Sequence, residues 1–351
     1  MQTSVLPAPA DVAGPLRFPH AEPPAAGSVR EVAPGVYWLR MPLPFALNHI
    51  NLWLLRDGQG WTAVDCGIAL DDTRAHWVNI FNQVLGSAGL TRVLVTHYHP
   101  DHFGNAAWLT QRFGAPMWMT EAEYLTAHAQ YGGMPGFGSE ATAALFSEHG
   151  LDAQRSGNTS ARGNSYRKVV GEPPTRFVRM IDGDDIDIGA NTWRVIMGYG
   201  HAPEHAALYC KTLGVLISGD MLLPKISTNI SVWPIKPEGD PLRLFLRSID
   251  RFKELPTDTL VLPSHGLPFH GAHQRVQMLH DHHRDRLAEV LEACAQPQSA
   301  ADLLPVLFRR TLDSHQIFFA MGESIAHLNY LWLQGKLSRA RDSAGIWRFG
   351  A

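Results

Sequence analysis

Short apolar runs separated by turn residues organise the first third of the chain. "GVYWLRM" (35–41) and "HINLWLLRD" (49–57) predict neighbouring strands, and "GWTAVDCG" (60–67) a third. "RDGQG" between the last two has the composition of a turn. "DDTRAHWVNIFNQVLGSAG" (71–89) reads as helical and leads into "RVLVTH" (92–97), a run typical of a strand buried on both faces. "GNAAWLTQRFG" (104–114) predicts a helix and "PMWMT" (116–120) a strand. Strands alternating with helices predict helices packed on sheets.

Residues 121–180 break this rhythm. Possible helix is mixed there with Gly, Ser and Asn, which predicts an irregular insertion, either a lid or a disordered segment. Strand patterns resume in "DDIDIGANTWRVIMGY" (184–199), "HAALYCKTLGVLISGD" (205–220) and "TLVLPSH" (259–265), with hairpin turns at "GAN" and "KTLG". From 271 the chain reads as mostly helical. Val276, Leu279, His283, Leu287, Val290 and Leu291 fall at helical spacing, which predicts His283 under the core rather than in a further metal site. "SAADLLPVLFRR" (299–310) and "HQIFFAMGESIAHLNYLWLQGKL" (315–337) predict two helices, and "KLSRARDSAGIWRF" (336–349) a closing hairpin. The expected organisation is a flexible Pro/Ala-rich leader (1–28), a main domain (29–270) carrying the insertion 121–180, and a C-terminal helical unit (271–351).

Composition narrows the function. Of 351 residues 45% are apolar and 18% charged, a globular balance, and the formal charge of −3 argues against nucleic acid or an acidic membrane surface as partner. Cys66, Cys210 and Cys294 have no paired spacing, so a reducing compartment is expected rather than a disulfide framework. No apolar run has transmembrane length and the N-terminus has no export-signal pattern, so the expected location is the cytoplasm.

The candidate chemistry lies in "THYHPDH" (96–102). His97 and His99 leave the end of a strand, and Asp101 and His102 start a helix. A strand–turn–helix can converge imidazole and carboxylate atoms on a metal at about 2 Å. Further apolar strands also end on ligand-capable residues: Asp65 in "WTAVDCG", His201 in "VIMGYGHAPEH", Asp220 in "GVLISGD" and His265 in "TLVLPSHG". A lone His or Asp after a strand is commonly a turn residue. Five such segments in one chain argue for a shared centre.

This order of motifs resembles the metallo-β-lactamase-fold hydrolases over residues 30–270. The resemblance implies an α/β fold: a four-layer αββα sandwich with metals at the edge where strand ends meet. It implies two Zn2+ ions per chain, one held by His97, His99 and His201, the other by Asp101, His102 and His265, with Asp220 bridging. Asp65 would orient a ligand or a bridging water, and Asp101 and Asp65 are the candidate catalytic carboxylates. Seven ligands exceed one tetrahedral ion. Two zinc ions sharing Asp220 would lower the pKa of water toward about 7 and generate a hydroxide that attacks a carbonyl. The family's iron-containing redox members carry glutamate where this chain has His99, which disfavours their pattern and favours zinc, with manganese or iron as the alternatives that the ligand types leave open.

Departures from family branches narrow the substrate. Quorum-signal lactonases carry tyrosine at the position of Leu223. Nucleases with a large cap domain need more chain between Asp220 and His265 than the 44 residues here. "GHAPEH" resembles the third motif of glyoxalase-II-type thioesterases, although their glutathione-binding helices are not recognisable. The C-terminal unit resembles the small winged-helix-like appendage of one cytosolic branch. Residues 282–351 hold eight Lys/Arg against seven Asp/Glu, which is no basic footprint for nucleic acid. The expected function is therefore hydrolysis of a thioester or related ester of a small acyl molecule, with a second copy of the chain as a candidate partner. A metal-dependent phosphodiesterase or ribonuclease, a lactone or β-lactam hydrolase, and a non-enzymatic binding protein on the same fold are the alternatives. Asn48, His49, Asn51 and His205 are expected near the site, and Tyr131, Met134 and Phe137 are candidates for an apolar substrate wall.

Overall fold

A computed structural model describes residues 16–86 and 88–351, so the start of the expected leader, 1–15, lies outside the described residues. Two mixed sheets stack face to face. In the first, β1 (Val29–Ala33), β2 (Val36–Pro42), β3 (His49–Asp57) and β4 (Gly60–Val64) form an antiparallel meander. It is extended in parallel by β5 (Leu90–Leu94), β6 (Met117–Met119) and β7 (Val178–Arg179). The second sheet has β8 (Asp185–Ile188), β9 (Asn191–Gly198), β10 (His205–Cys210), β11 (Val215–Gly219), β12 (Leu260–Pro263) and β13 (Phe269–His270) side by side in sequence order. Of its pairs, only β11 with β12 is parallel.

Period-two alternation sorts the buried side chains. Along β2 and β3, Trp38, Trp53 and Leu55 face the second sheet, where Trp193, Val195 and Met197 of β9 meet them. Leu39, Met41, Leu52 and Leu54 face outward and are covered by α1 (Asp71–Ile80), α2 (Pro100–Phe103) and α3 (Ala106–Phe113). Every residue of β10 and β11 is buried, so periodicity alone could not assign their faces. The structure turns Leu208 and Ile217 toward the first sheet, and Ala207 and Leu216 toward the helical layer.

The insertion differs from the irregular segment expected. It holds α4 (Glu121–Gly132), α5 (Ser139–Glu148) and α6 (Ala153–Ser160). Its glycines are punctuation between helices: Gly133 and Gly150 adopt φ of 65° and 91°, a left-handed conformation that caps helices and disfavours other residues. Leu145 and Phe146 of α5 join the same core as the C-terminal unit.

The outer layer of the second sheet comprises α7 (Pro241–Asp250), α8 (Ala272–Ala293), α9 (Leu304–Leu307) and α10 (Ser314–Leu333), followed by the hairpin of β14 (Ser338–Arg341) and β15 (Trp347–Gly350). These elements complete a four-layer αββα sandwich, and the C-terminal helices share one apolar core with β11 and β12. The helix expected over 299–310 shrinks to the single turn of α9. Leu304 starts that turn with Pro305 next to it, and Phe308 ends it with an extended backbone. Residues 16–28 are held at the sheet edge, where Arg17 and His270 exchange backbone hydrogen bonds of 3.1 and 2.8 Å. Among the described residues no helix is long and apolar enough to cross a membrane.

His283 is fully buried, 3.4 Å from Nε2 of His327 on α10. Burial, with neighbouring imidazoles adding to it, pushes His283 down to about 2 and His327 down to about 4. Both values lie below the usual 6.5, so the unfolded chain takes up protons first. The stabilising contribution is complete above pH 6.5 and is lost as pH falls toward 4. His327→Gln is expected to remove about 2 kcal/mol of the stability lost between pH 7 and 5. Thermal melts at the two pH values check this, and an unchanged pH slope would refute it.

Candidate metal centre

The seven ligand-capable residues come from both sheets and meet at one edge. His97 and His99 follow β5, and Asp101 and His102 lie on α2. His201 precedes β10, Asp220 directly follows β11, and His265 follows β12. Two groups form, each with potential ligand atoms within 4.8 Å of one another: His97, His99, His201 and Asp220, and Asp101, His102 and His265. Asp220 lies between them. Its Oδ2 is 3.3 Å from His201 Nε2 and 3.6 Å from His102 Nε2, and its Oδ1 is 3.4 Å from His265 Nε2. Asp101 Oδ2 is 3.5 Å from His265 Nε2 and 3.7 Å from His102 Nε2.

The outer nitrogens of these rings are tied to fixed acceptors. His201 Nδ1–H donates to the Asn229 carbonyl at 2.7 Å, and His265 Nδ1–H to the His49 carbonyl at 2.8 Å. His102 Nδ1–H donates to Asp65 Oδ2 at 2.8 Å. Each bond sets a tautomer that leaves an Nε2 lone pair facing the centre. There the lone pairs crowd: His97 Nε2 is 2.9 Å from His99 Nδ1 and 3.3 Å from His201 Nε2. His102 Nε2 and Asp220 Oδ1 are buried with no hydrogen-bond partner. Protons cannot satisfy so many converging acceptors at once, whereas cations can, so the donor set fits divalent metal.

Electrostatics divides the rings. Burial, reinforced by the neighbouring imidazoles, pushes His97 and His99 well below the usual range. Burial also opposes charge on His102 and His265, but the carboxylates outweigh it: Asp65, Asp101 and Asp220 raise His102, and Asp220 raises His265. Against its own burial, Asp220 is held well below the carboxylate range by His265 and His102.

Asp65 stands behind the ligand atoms. It accepts from the Thr96 N–H at 2.8 Å, from the Thr96 hydroxyl and from His102. Among the described residues it is the non-glycine with positive φ, 64°, a conformation disfavoured for L-residues and typical of functional positions. Asn tolerates that backbone almost as well, so Asp65→Asn isolates the lost acceptor. This variant is expected to bind metal about 10–100-fold more weakly at the Asp101–His102–His265 group. Chelator competition measures it, and wild-type affinity would remove Asp65 from the centre.

Several supporting residues hold the ligands in place. His49, one of the candidates for substrate contact, accepts the Gly266 N–H on Nε2 at 2.9 Å, and its carbonyl holds His265. His205 accepts the Asp220 N–H on Nε2 at 3.1 Å. A Cβ on Gly219 would stand 2.2 Å from that nitrogen, so the residue before Asp220 must be glycine. Thr96 and Asn229 act through backbone and hydroxyl contacts that no motif encodes. Of the candidate apolar wall, Tyr131 packs against the first-sheet core while Met134 is exposed.

Comparison with known proteins agrees with this geometry. Residues 47–265 match the metallo-beta-lactamase superfamily, and residues 287–351 match the metallo-beta-lactamase-like C-terminal domain. The chain is 49% identical to a solved beta-lactamase domain protein from Burkholderia ambifaria, covering 95% of this chain and 98% of that one with a TM-score of 0.89. A metallo-beta-lactamase family protein from Thermus thermophilus is 30% identical, with coverage of 91% and 99% and a TM-score of 0.78. The probable metallo-hydrolase YqjP of Bacillus subtilis is 24% identical over 84% of this chain and 91% of its own length.

Proposed function

Because the chain belongs to the metallo-β-lactamase superfamily and is a metal-dependent hydrolase, we propose that it is a dinuclear zinc enzyme that cleaves a thioester or related ester of a small acyl molecule. The observation that carries this reading is the Asp220 carboxylate, which faces His201 and His102 with one oxygen and His265 with the other. His97, His99 and His201 would hold one ion, Asp101, His102 and His265 the second, and Asp220 would be shared. When bound, two zinc ions supply Lewis acidity toward the carbonyl and bring the pKa of water near neutrality.

The chain's own residues orient the reaction. Asp65, Asn229 and His49 fix the rings of His102, His201 and His265, so the ligand atoms need little rearrangement as charge develops. Asp101 is the more exposed of the two central carboxylates, and its Oδ2 faces the second group. It takes the proton released as water oxygen adds to the carbonyl carbon, and gives it to the departing thiolate or alkoxide as the carbon–sulfur or carbon–oxygen bond breaks, releasing the thiol or alcohol. Neither Ser nor Cys is needed as nucleophile. The near-equal charge count of residues 282–351 supports a small-molecule substrate over nucleic acid, and three free, buried cysteines support a cytoplasmic setting.

The test is a substrate panel of acyl-CoA, glutathione thioester, lactone, β-lactam and RNA, assayed with zinc-loaded and chelator-stripped protein. Zinc-dependent thioester or ester turnover is expected to dominate. Turnover confined to RNA, or unaffected by stripping, would overturn the proposal.

A further inference from the structure

The segment "TEAE" (120–123) has the pattern of a helix capping box, in which Thr and Glu three residues apart satisfy each other's backbone amides. It opens α4, yet Thr120 makes no side-chain cap bond. Both side chains reach out of the helix. The Thr120 hydroxyl donates to the Glu204 carbonyl at 3.0 Å. Glu123 Oε1 accepts the Glu204 N–H at 2.6 Å, and Glu123 Oε2 accepts the Tyr98 N–H at 2.9 Å. Tyr98 is the residue between His97 and His99, and Glu204 lies between His201 and His205. On the other side of the same turn, the Tyr166 hydroxyl donates to the Tyr98 carbonyl at 2.6 Å.

We infer that Glu123 is a positioning residue: its carboxylate locks the His97–His99 turn to the His201 loop and sets the geometry of that half of the centre, with Tyr166 as its counterpart on Tyr98. This rests on the reading of the cluster as a metal centre. Glu123 is fully buried and has no cationic partner among the described residues. Burial pushes its carboxyl up to about 8 against the two N–H bonds. A buried acid without a counter-charge is costly to retain, and giving up a helix cap adds to that cost. Two acceptor oxygens facing two amides from different loops require a carboxyl group, and aspartate is one methylene shorter. Glutamine supplies one acceptor and one donor, so the donor would confront an N–H. The start of α4 is thus a frame for the His97–His99–His201 group.

The experiment titrates zinc against a chromophoric chelator into metal-free wild type, Glu123→Gln and Tyr166→Phe, with thermal melts of each metal-free protein. Wild type is expected to bind two equivalents. In Glu123→Gln one binding step weakens about 10–100-fold and the other is unchanged, as loss of a residue orienting ligands predicts. Tyr166→Phe shifts the same step by a smaller factor. Unshifted steps in both variants, or equal weakening of both steps that tracks a lower metal-free melting temperature, would refute the inference. Should Glu123→Gln not fold, Tyr166→Phe decides alone by the same criterion. Wild type binding no zinc would overturn the metal-centre reading itself, whereas two wild-type equivalents with unshifted variants would overturn this inference only.

Discussion

Replacing Asp220 by alanine is expected to reduce hydrolysis by about a thousandfold or more, equivalent to about 4 kcal/mol of transition-state stabilisation. The carboxylate faces three imidazoles from both ligand groups, within 3.3–3.6 Å. Its removal would leave the two proposed cation sites side by side with no shared anion, so occupancy should fall from the proposed two ions to one or none. Asp220→Asn keeps the size and one acceptor oxygen but removes the negative charge, and should lose less metal than alanine while still losing most activity. Elemental analysis and turnover of the best panel substrate check both. An alanine variant with full metal and full activity would disprove the shared-carboxylate centre. Gly219 is unsuited to the same test, because any side chain there collides with His205 and disturbs the fold first.

Stripping metal from the wild type is the second large effect. Ions that bind only the folded chain stabilise it by mass action, about 4 kcal/mol at a thousand times Kd. For a chain of 351 residues this corresponds to roughly 5 °C in melting temperature per ion. Without metal, buried acceptors such as His102 Nε2 and Asp220 Oδ1 lack partners, which deepens the loss. Melting curves with and without chelator measure the shift, and zinc added back should restore it. Identical curves would mean the cluster is satisfied without a metal.

Much of the site was legible because its residues occupy strand ends and one short motif. "THYHPDH" places four candidate ligands by chain geometry alone, and Asp65, His201, Asp220 and His265 each close an apolar run that must be a strand. β3 begins and ends where the segment read as a strand does, at His49 and Asp57. The extent of helix in the insertion is not legible, because glycines between helices look like glycines that break them. Only the φ values of Gly133 and Gly150 separate the two roles. Glu123 was invisible for a related reason: "TEAE" describes a local cap, and the bonds that displace the cap come from residues 25 and 81 positions away.

The sequence by itself determined most strands of the two sheets, the family and the donor types, because periodicity and motif spacing are local properties of the chain. Tertiary structure alone decided that the second sheet buries both faces, that the C-terminal helices share its core, and which backbone carbonyls hold which imidazoles. It also decided that Glu123 belongs to the centre. Those outcomes depend on contacts between distant segments, and a buried carboxylate or a histidine tautomer takes its meaning from the atom opposite it.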